Sequence, residues 1–157
     1  KIKNIRSKKK FTISLAESCT GGMISKYLTS INGSSLFFNG ACISYSNQMK
    51  IRLLKVSKNT IINYGAVSHQ TALAMVKGLK KITDSEILLS VTGVAGPSGG
   101  TLRTPVGCVF FGIGSKINKK YTFKTGKKIF HEKTRHAIQK KSTEYAMYLI
   151  LKELKKI

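Results

Sequence analysis

Short β-rich runs, each parted from the next by a helix-forming segment or a tight turn, constrain this chain more than any other feature. Phe11–Ala16, Leu36–Tyr45 and Glu86–Thr92 are apolar and rich in β-branched residues, and each is predicted to be a strand. Gly40 marks a bulge inside the second run. Val106–Ser115 and Lys119–Thr125 are predicted to pair antiparallel, joined at Ser115–Asn118. Helical periodicity fills the gaps. Met23–Ile31 places Ile24, Tyr27, Leu28 and Ile31 on one face. Gln48–Leu54 follows a Ser46 or Asn47 cap, and a second short helix follows Ser57. Ser68 caps a strongly periodic helix with Ala72, Met75, Val76, Leu79 and Ile82 inward. A long helix runs from about His131 to the end, with Thr134, Ala137, Ile138, Tyr145, Leu149 and Leu151 as its buried side. Strands alternating with helices and then a hairpin predict an α/β fold, a three-layer α/β/α sandwich around a mixed sheet.

The 157 residues fit one domain, with 1–10 read as a basic leader. The sequence opens on Lys1, so the expectation is that the leader is truncated. Apolar runs such as Val106–Ile113 are far shorter than the ~20 residues a spanning helix needs. No secretory signal follows the basic start, so a cytoplasmic location without membrane association is expected. Cys19, Cys42 and Cys108 form no C-x-x-C pair and read as reduced thiols. The formal charge of +22 invites a nucleic-acid partner. Yet the lysines are spread along the chain without an arginine-rich, zinc-finger or aromatic RNA-binding signature, so specific nucleic-acid binding is not expected. The charge still favours approach of an anionic, phosphate-bearing ligand.

Several chemistries are rejected. There is no phosphate loop of the G-x-x-x-x-G-K-[ST] type. Ala16 and Thr20 occupy the glycine positions of a nucleophile elbow around Ser18. His69, His131 and His136 have no metal-ligand spacing, and neither a metal nor a cofactor is expected. Ser7–Lys10, Tyr45–Asn47 and Lys124–Gly126 imitate the three signatures of penicillin-recognising enzymes, but the first lies in the basic leader and the chain is short for that fold.

The turn after the first strand is the better site. Glu17 is the only acidic residue among the first 83, and it precedes Ser18 and two glycines. Ligands of α/β sheets bind beyond the carboxyl ends of strands. The N–H groups of Thr20, Gly21 and Gly22 are orphan donors at a helix start, suited to an oxyanion. The bland alternative is that Ser18 or Thr20 merely caps the helix. A second glycine-rich loop, Gly93–Gly100, also follows a strand and offers amides to phosphate or ribose, or is a plain surface loop.

Five segments in order, "AESCTGG", "GSSLFFNGACISYSNQMKIRLL", "GAVSHQTALAM", "SVTGVAGPSGGT" and "PVGCVFFGI", resemble the C-terminal domain of the competence/damage-inducible protein CinA. The resemblance is in register from about Phe11 to Gly114 and looser to the end. Stand-alone members of that family are nicotinamide-nucleotide amidases of the PncC type, and a stand-alone form is expected here. The resemblance implies hydrolysis of nicotinamide mononucleotide to nicotinate mononucleotide and ammonia in pyridine-nucleotide salvage, without a metal, by a cytoplasmic homodimer or higher homo-oligomer.

It also implies roles. Ser18 matches the family's nucleophile and Lys50 its candidate base, with Tyr45 orienting or relaying the proton. A lysine serves as base when desolvation or nearby cations depress its pKa. Glu17 is assigned either to ribose hydroxyls or to positioning the lysine. Gly93, Gly96, Ser98, Gly99, Gly100 and Thr101 form the expected substrate loop, and Arg135 and then Arg103 are the expected phosphate cations. Two departures bear on that last expectation. The family's Gly-Asp-Arg segment followed by a second arginine is reduced to Arg135, and Thr104 stands where the family often has a basic residue before "PVG", with Arg103 adjacent. A catalytically silent nucleotide-binding relative and a basic nucleic-acid-associated protein are the rival readings.

Overall fold

A computed structural model describes residues 2–7 and 9–156; Lys1 and Lys8 of the basic leader, and Ile157, lie outside the described residues. Five strands form one mixed sheet: β1 (Ile13–Glu17), β2 (Phe38–Ile43), β3 (Ile87–Gly93), β4 (Cys108–Ile117) and β5 (Lys120–Ile129), in the order β2-β1-β3-β4-β5. β1 runs parallel to both β2 and β3, whereas β4 is antiparallel to β3 and to β5. The chain leaves β1 toward one neighbour and later returns to the other, so β1 lies at the switch point of the sheet.

Helices cover both faces. α2 (Met23–Thr29) and α6 (Arg135–Leu154) pack together on one side, with α1 (Ile2–Arg6) beside them; α5 (His69–Lys80) covers the other, flanked by α3 (Asn47–Leu54) and α4 (Lys58–Tyr64). β3 shows how period two divides the core. Ile87, Leu89 and Val91 join Ile138, Ala146 and Ile150 of α6, while Leu88 joins Met75, Val76 and Leu79 of α5. Burying a side chain of this size contributes about 1.5–3 kcal/mol. No helix among the described residues is long and apolar enough to cross a membrane.

Most sequence expectations for local structure hold, and the deviations have physical causes. The bulge lies at Asn39–Gly40, where Ile13 pairs with Phe38 and Ser14 with Gly40. The hairpin is longer than expected: Asn118 and Lys119, with φ of 50° and 64°, form its two-residue turn. Ser46, Ser57 and Ser68 accept from Met49, Asn59 and Thr71 N–H groups and cap their helices. Ile82 is corrected: it lies past the end of α5 and is 60% exposed. The segment read as a basic leader contains α1, whose Ile2 is 4% exposed within the core. The face of α6 shifts as well. Ile138, Ser142, Ala146, Ile150 and Leu154 are buried, whereas Thr134 is its exposed N-cap.

Candidate active site

The three parallel strands end on the same side of the sheet, and the site is built there. Ser18 follows β1; its N–H donates to Val91 O at 3.0 Å, and Ser44 N–H donates to Glu17 O at 2.8 Å. These bonds hold the Ser18 backbone between the ends of β2 and β3. The Ser46 cap starts α3 directly after β2, and the first turn of α3 carries Lys50 back over the turn that holds Ser18. Lys50 is 1% exposed. Its Nζ donates to Ser18 Oγ at 2.9 Å, Ser44 O at 3.0 Å and Tyr45 O at 3.1 Å.

Burial favours the neutral form of the amine there. No carboxylate pairs with Lys50 among the described residues. Burial pushes its pKa below the ordinary 10.5. The opposing pull comes from Cys19, but burial drives that thiol up to about 12, so it carries no charge near neutrality. Once Lys50 loses a proton, two N–H groups suffice for the Ser44 and Tyr45 carbonyls. The lone pair is then left for the Ser18 hydroxyl.

Ser18 and Lys50 open into a cleft of about 290 Å³. Ala66, Val67, Val94 and Ala95 supply apolar lining, and Gly96, Ser98, Gly99 and Arg135 come from the loop after β3 and the start of α6. Of 28 lysines and arginines, only Lys50 and Arg135 line it among the described residues. Arg135 donates to Gly96 O at 2.9 Å and to Tyr45 Oη at 2.6 Å, bridging two rims of the cleft.

The sequence model of the CinA C-terminal domain matches residues 1–154. The chain belongs to the CinA C-terminal domain family. A CinA-like protein of Petrotoga mobilis is 47% identical over 145 residues, which cover 92% of this chain and 35% of that protein. A CinA-like protein of Pseudothermotoga lettingae is 42% identical over 145 residues, covering 92% of this chain and 34% of that one. The chain thus spans about a third of the length of these curated relatives. The crystal structure of the competence/damage inducible protein CihA from Agrobacterium tumefaciens superposes with a TM-score of 0.88 at 32% identity, covering 96% of this chain and 89% of that one. That of the competence damage-inducible protein A (ComA) from Klebsiella pneumoniae gives 0.88 at 25% identity, covering 98% and 92%.

In this CinA domain the structure brings Ser18, Lys50, Tyr45, Gly93, Gly96, Ser98, Gly99 and Arg135 to one cleft. It corrects four groups of assignments. Glu17 is not turned to ribose or to Lys50. The side chain is fully buried, and Oε2 accepts from Thr20 Oγ1 (2.7 Å), Gly22 N (3.0 Å) and Ile24 N (3.2 Å), while Oε1 accepts from Ser25 N (2.8 Å) and Ser25 Oγ. Its carboxylate caps α2, where orphan N–H groups and the helix dipole favour negative charge. Neither Ser18 nor Thr20 is the cap. Gly21 and Gly22 are not free oxyanion donors, because their N–H groups bond Ser18 O and Glu17. Among the described residues, the N–H groups of Cys19 and Thr20 are the ones in this turn that donate to no other residue.

Tyr45 is the third correction. Its hydroxyl meets Arg135, and its backbone carbonyl rather than its side chain meets Lys50. Gly100, Thr101 and Arg103 are the fourth, since none lines the cleft. Thr101 closes a small turn onto Thr104, and Arg103 is exposed on that turn. Gly93 and Gly100 serve packing: a Cβ at either would come within 2.9 Å of backbone atoms of Cys108 or Val106. Sequence reasoning missed Cys19, Asn47, Ala66, Val67 and Thr92 as lining residues; all lie inside the segments that carry the family resemblance, but their side-chain types signal no particular chemistry.

Proposed function

We propose that this domain is an amidohydrolase that converts nicotinamide mononucleotide to nicotinate mononucleotide and ammonia. One observation carries the reading: a buried lysine, without a carboxylate partner among the described residues, donates to Ser18 Oγ at 2.9 Å inside a cleft. In the reaction, neutral Lys50 takes the Ser18 proton as Oγ attacks the carboxamide carbon. The N–H groups of Cys19 and Thr20 are available to the oxyanion. The Lys50 ammonium returns the proton to the leaving nitrogen, and ammonia departs. Water, deprotonated by Lys50, then attacks the acyl-Ser18 ester, which releases the carboxylate product and restores the hydroxyl.

The apolar lining suits the pyridine ring, and Arg135 suits the phosphate. The reading needs no metal or cofactor, because Ser18 and Lys50 supply nucleophile and base. It carries with it a cytoplasmic homo-oligomer as the form of the enzyme. A second reading, a nucleotide binder without turnover, is favoured by the full use of all three Lys50 N–H groups, which suits a resting ammonium. An ammonia-release assay on wild type and Ser18→Ala decides between them. Turnover that Ser18→Ala lowers by several orders of magnitude supports the amidase; nucleotide binding with no ammonia from wild type supports the silent binder.

A further inference from the structure

We propose that Gln139 is a positioning residue that orients the oxyanion donor beside Ser18, an inference that rests on the acyl-enzyme reading above. Gln139 is half-buried on α6, one turn beyond Arg135. Its Nε2 donates to Cys19 O at 2.8 Å, a contact between residues 120 apart in sequence. Gln139 does not line the cleft, so it acts through the turn rather than on substrate.

The rest of the nucleophile turn is held from two other directions. β3 holds Ser18 through Val91 O, and Glu17 holds Thr20, Gly22, Ile24 and Ser25. The peptide unit joining Cys19 to Thr20 is tied through its carbonyl to Gln139. In a trans peptide the N–H points opposite to the C=O. Fixing Cys19 O therefore fixes the direction of the Thr20 N–H, which has no acceptor among the described residues. A hydrogen bond accepted by the carbonyl also polarises the amide and strengthens its N–H as a donor.

The test compares wild type with Gln139→Met, which keeps the bulk but removes the donor, and Gln139→Arg, which restores donors on a long side chain. Two reactions are followed. One is ammonia release from nicotinamide mononucleotide. The other is the p-nitrophenyl acetate burst, in which Ser18 Oγ takes the acetyl group, nitrophenolate leaves and the hydroxyl proton passes to Lys50. We expect Gln139→Met to lower kcat and the burst rate by roughly tenfold to a hundredfold, the loss typical of a misplaced group. KM and Tm stay at wild-type values, and Gln139→Arg recovers most of the rate. A wild-type burst rate in Gln139→Met overturns the proposal. So does a rate loss that tracks a loss of Tm and is not recovered by arginine. A wild type that is acetylated on Ser18 yet releases no ammonia overturns the substrate reading alone, and the burst rates of the variants then decide the role of Gln139. A wild type that does neither overturns both.

Discussion

Lys50 Nζ lies 2.9 Å from Ser18 Oγ, although 32 residues separate them and they sit on different elements. The contact exists because β1 and β2 are adjacent and parallel, so the turn after one and the helix after the other meet at the same edge. Lys50 and Ser18 are thus set by the sheet rather than by a flexible loop, the arrangement that the proposed base and nucleophile need.

The first prediction concerns pH. Burial holds the folded pKa of Lys50 below 10.5, and the proposed reaction needs the neutral amine. The rate should rise with pH through a midpoint below 10.5 and level off above that midpoint, whereas Lys50→Met should be inactive at every pH. Stability follows the same group. Between the folded and the unfolded pKa the unfolded chain binds the extra proton, so stability rises with pH across that window. Urea midpoints should rise there in wild type and lose this component in Lys50→Met.

Glu17 supports the site through stability. Removing its carboxylate leaves the N–H groups of Gly22, Ile24 and Ser25 and two hydroxyls without their acceptor at a buried helix start. Glu17→Ala should cost about 3 kcal/mol or more, since each buried unsatisfied group costs ~1–3 kcal/mol. Glu17→Gln should also destabilise, because one side of the amide presents N–H groups to donors. Denaturant midpoints measure both, and a Glu17→Ala protein as stable as wild type would remove the capping role.

Gly78 links packing to the base. A Cβ on Gly78 of α5 would lie 1.8 Å from Leu54 O, at the end of the helix that carries Lys50. Gly78→Ala is expected to push the end of α3 away from α5 and so displace Lys50 from Ser18. A 1 Å displacement of a catalytic group can cost about a hundredfold in rate. Ammonia release should fall by that order even where circular dichroism still reports folded protein. An unchanged rate would show that α3 absorbs the methyl without moving Lys50.

The strands and most helices are legible because each carries its own period and a serine cap, as Ser46, Ser57 and Ser68 show. The turn after β1 is legible as a site because its glycines follow a strand, but the partnership of Ser18 with Lys50 comes from resemblance alone. Glu17 is misread because a lone carboxylate in a basic chain looks like a ligand. Nothing local shows that five donors, two from the turn after β1 and three from the first turn of α2, converge on it. The buried face of α6 is hidden for another reason. Ser142 and Thr143 bond carbonyls one turn back, Ser142 to Ile138 and Thr143 to Gln139, and are buried as small spacers, which an apolar count does not register. Gln139 gives no signal, since its contact is with a backbone carbonyl rather than with a side chain of complementary type.

The last prediction concerns Arg135. It is the only cation besides Lys50 that lines the cleft among the described residues, and it is not paired with Glu132 on the preceding segment. Its guanidinium is held by Gly96 O and Tyr45 Oη, two neutral acceptors, which leaves its full charge for an anion. A phosphate favours bidentate contact with such a group. Arg135→Ala should therefore raise KM for nicotinamide mononucleotide by roughly one or two orders of magnitude, the loss of a charge-assisted pair. The riboside, which carries no phosphate, should keep its KM. Tyr45→Phe removes one of the two neutral acceptors while leaving the charge in place, so its effect on KM should be much smaller than that of Arg135→Ala. Equal losses for nucleotide and riboside in Arg135→Ala would instead assign the residue to bridging the cleft rims, and no loss for either would leave the phosphate to the backbone amides of the loop after β3.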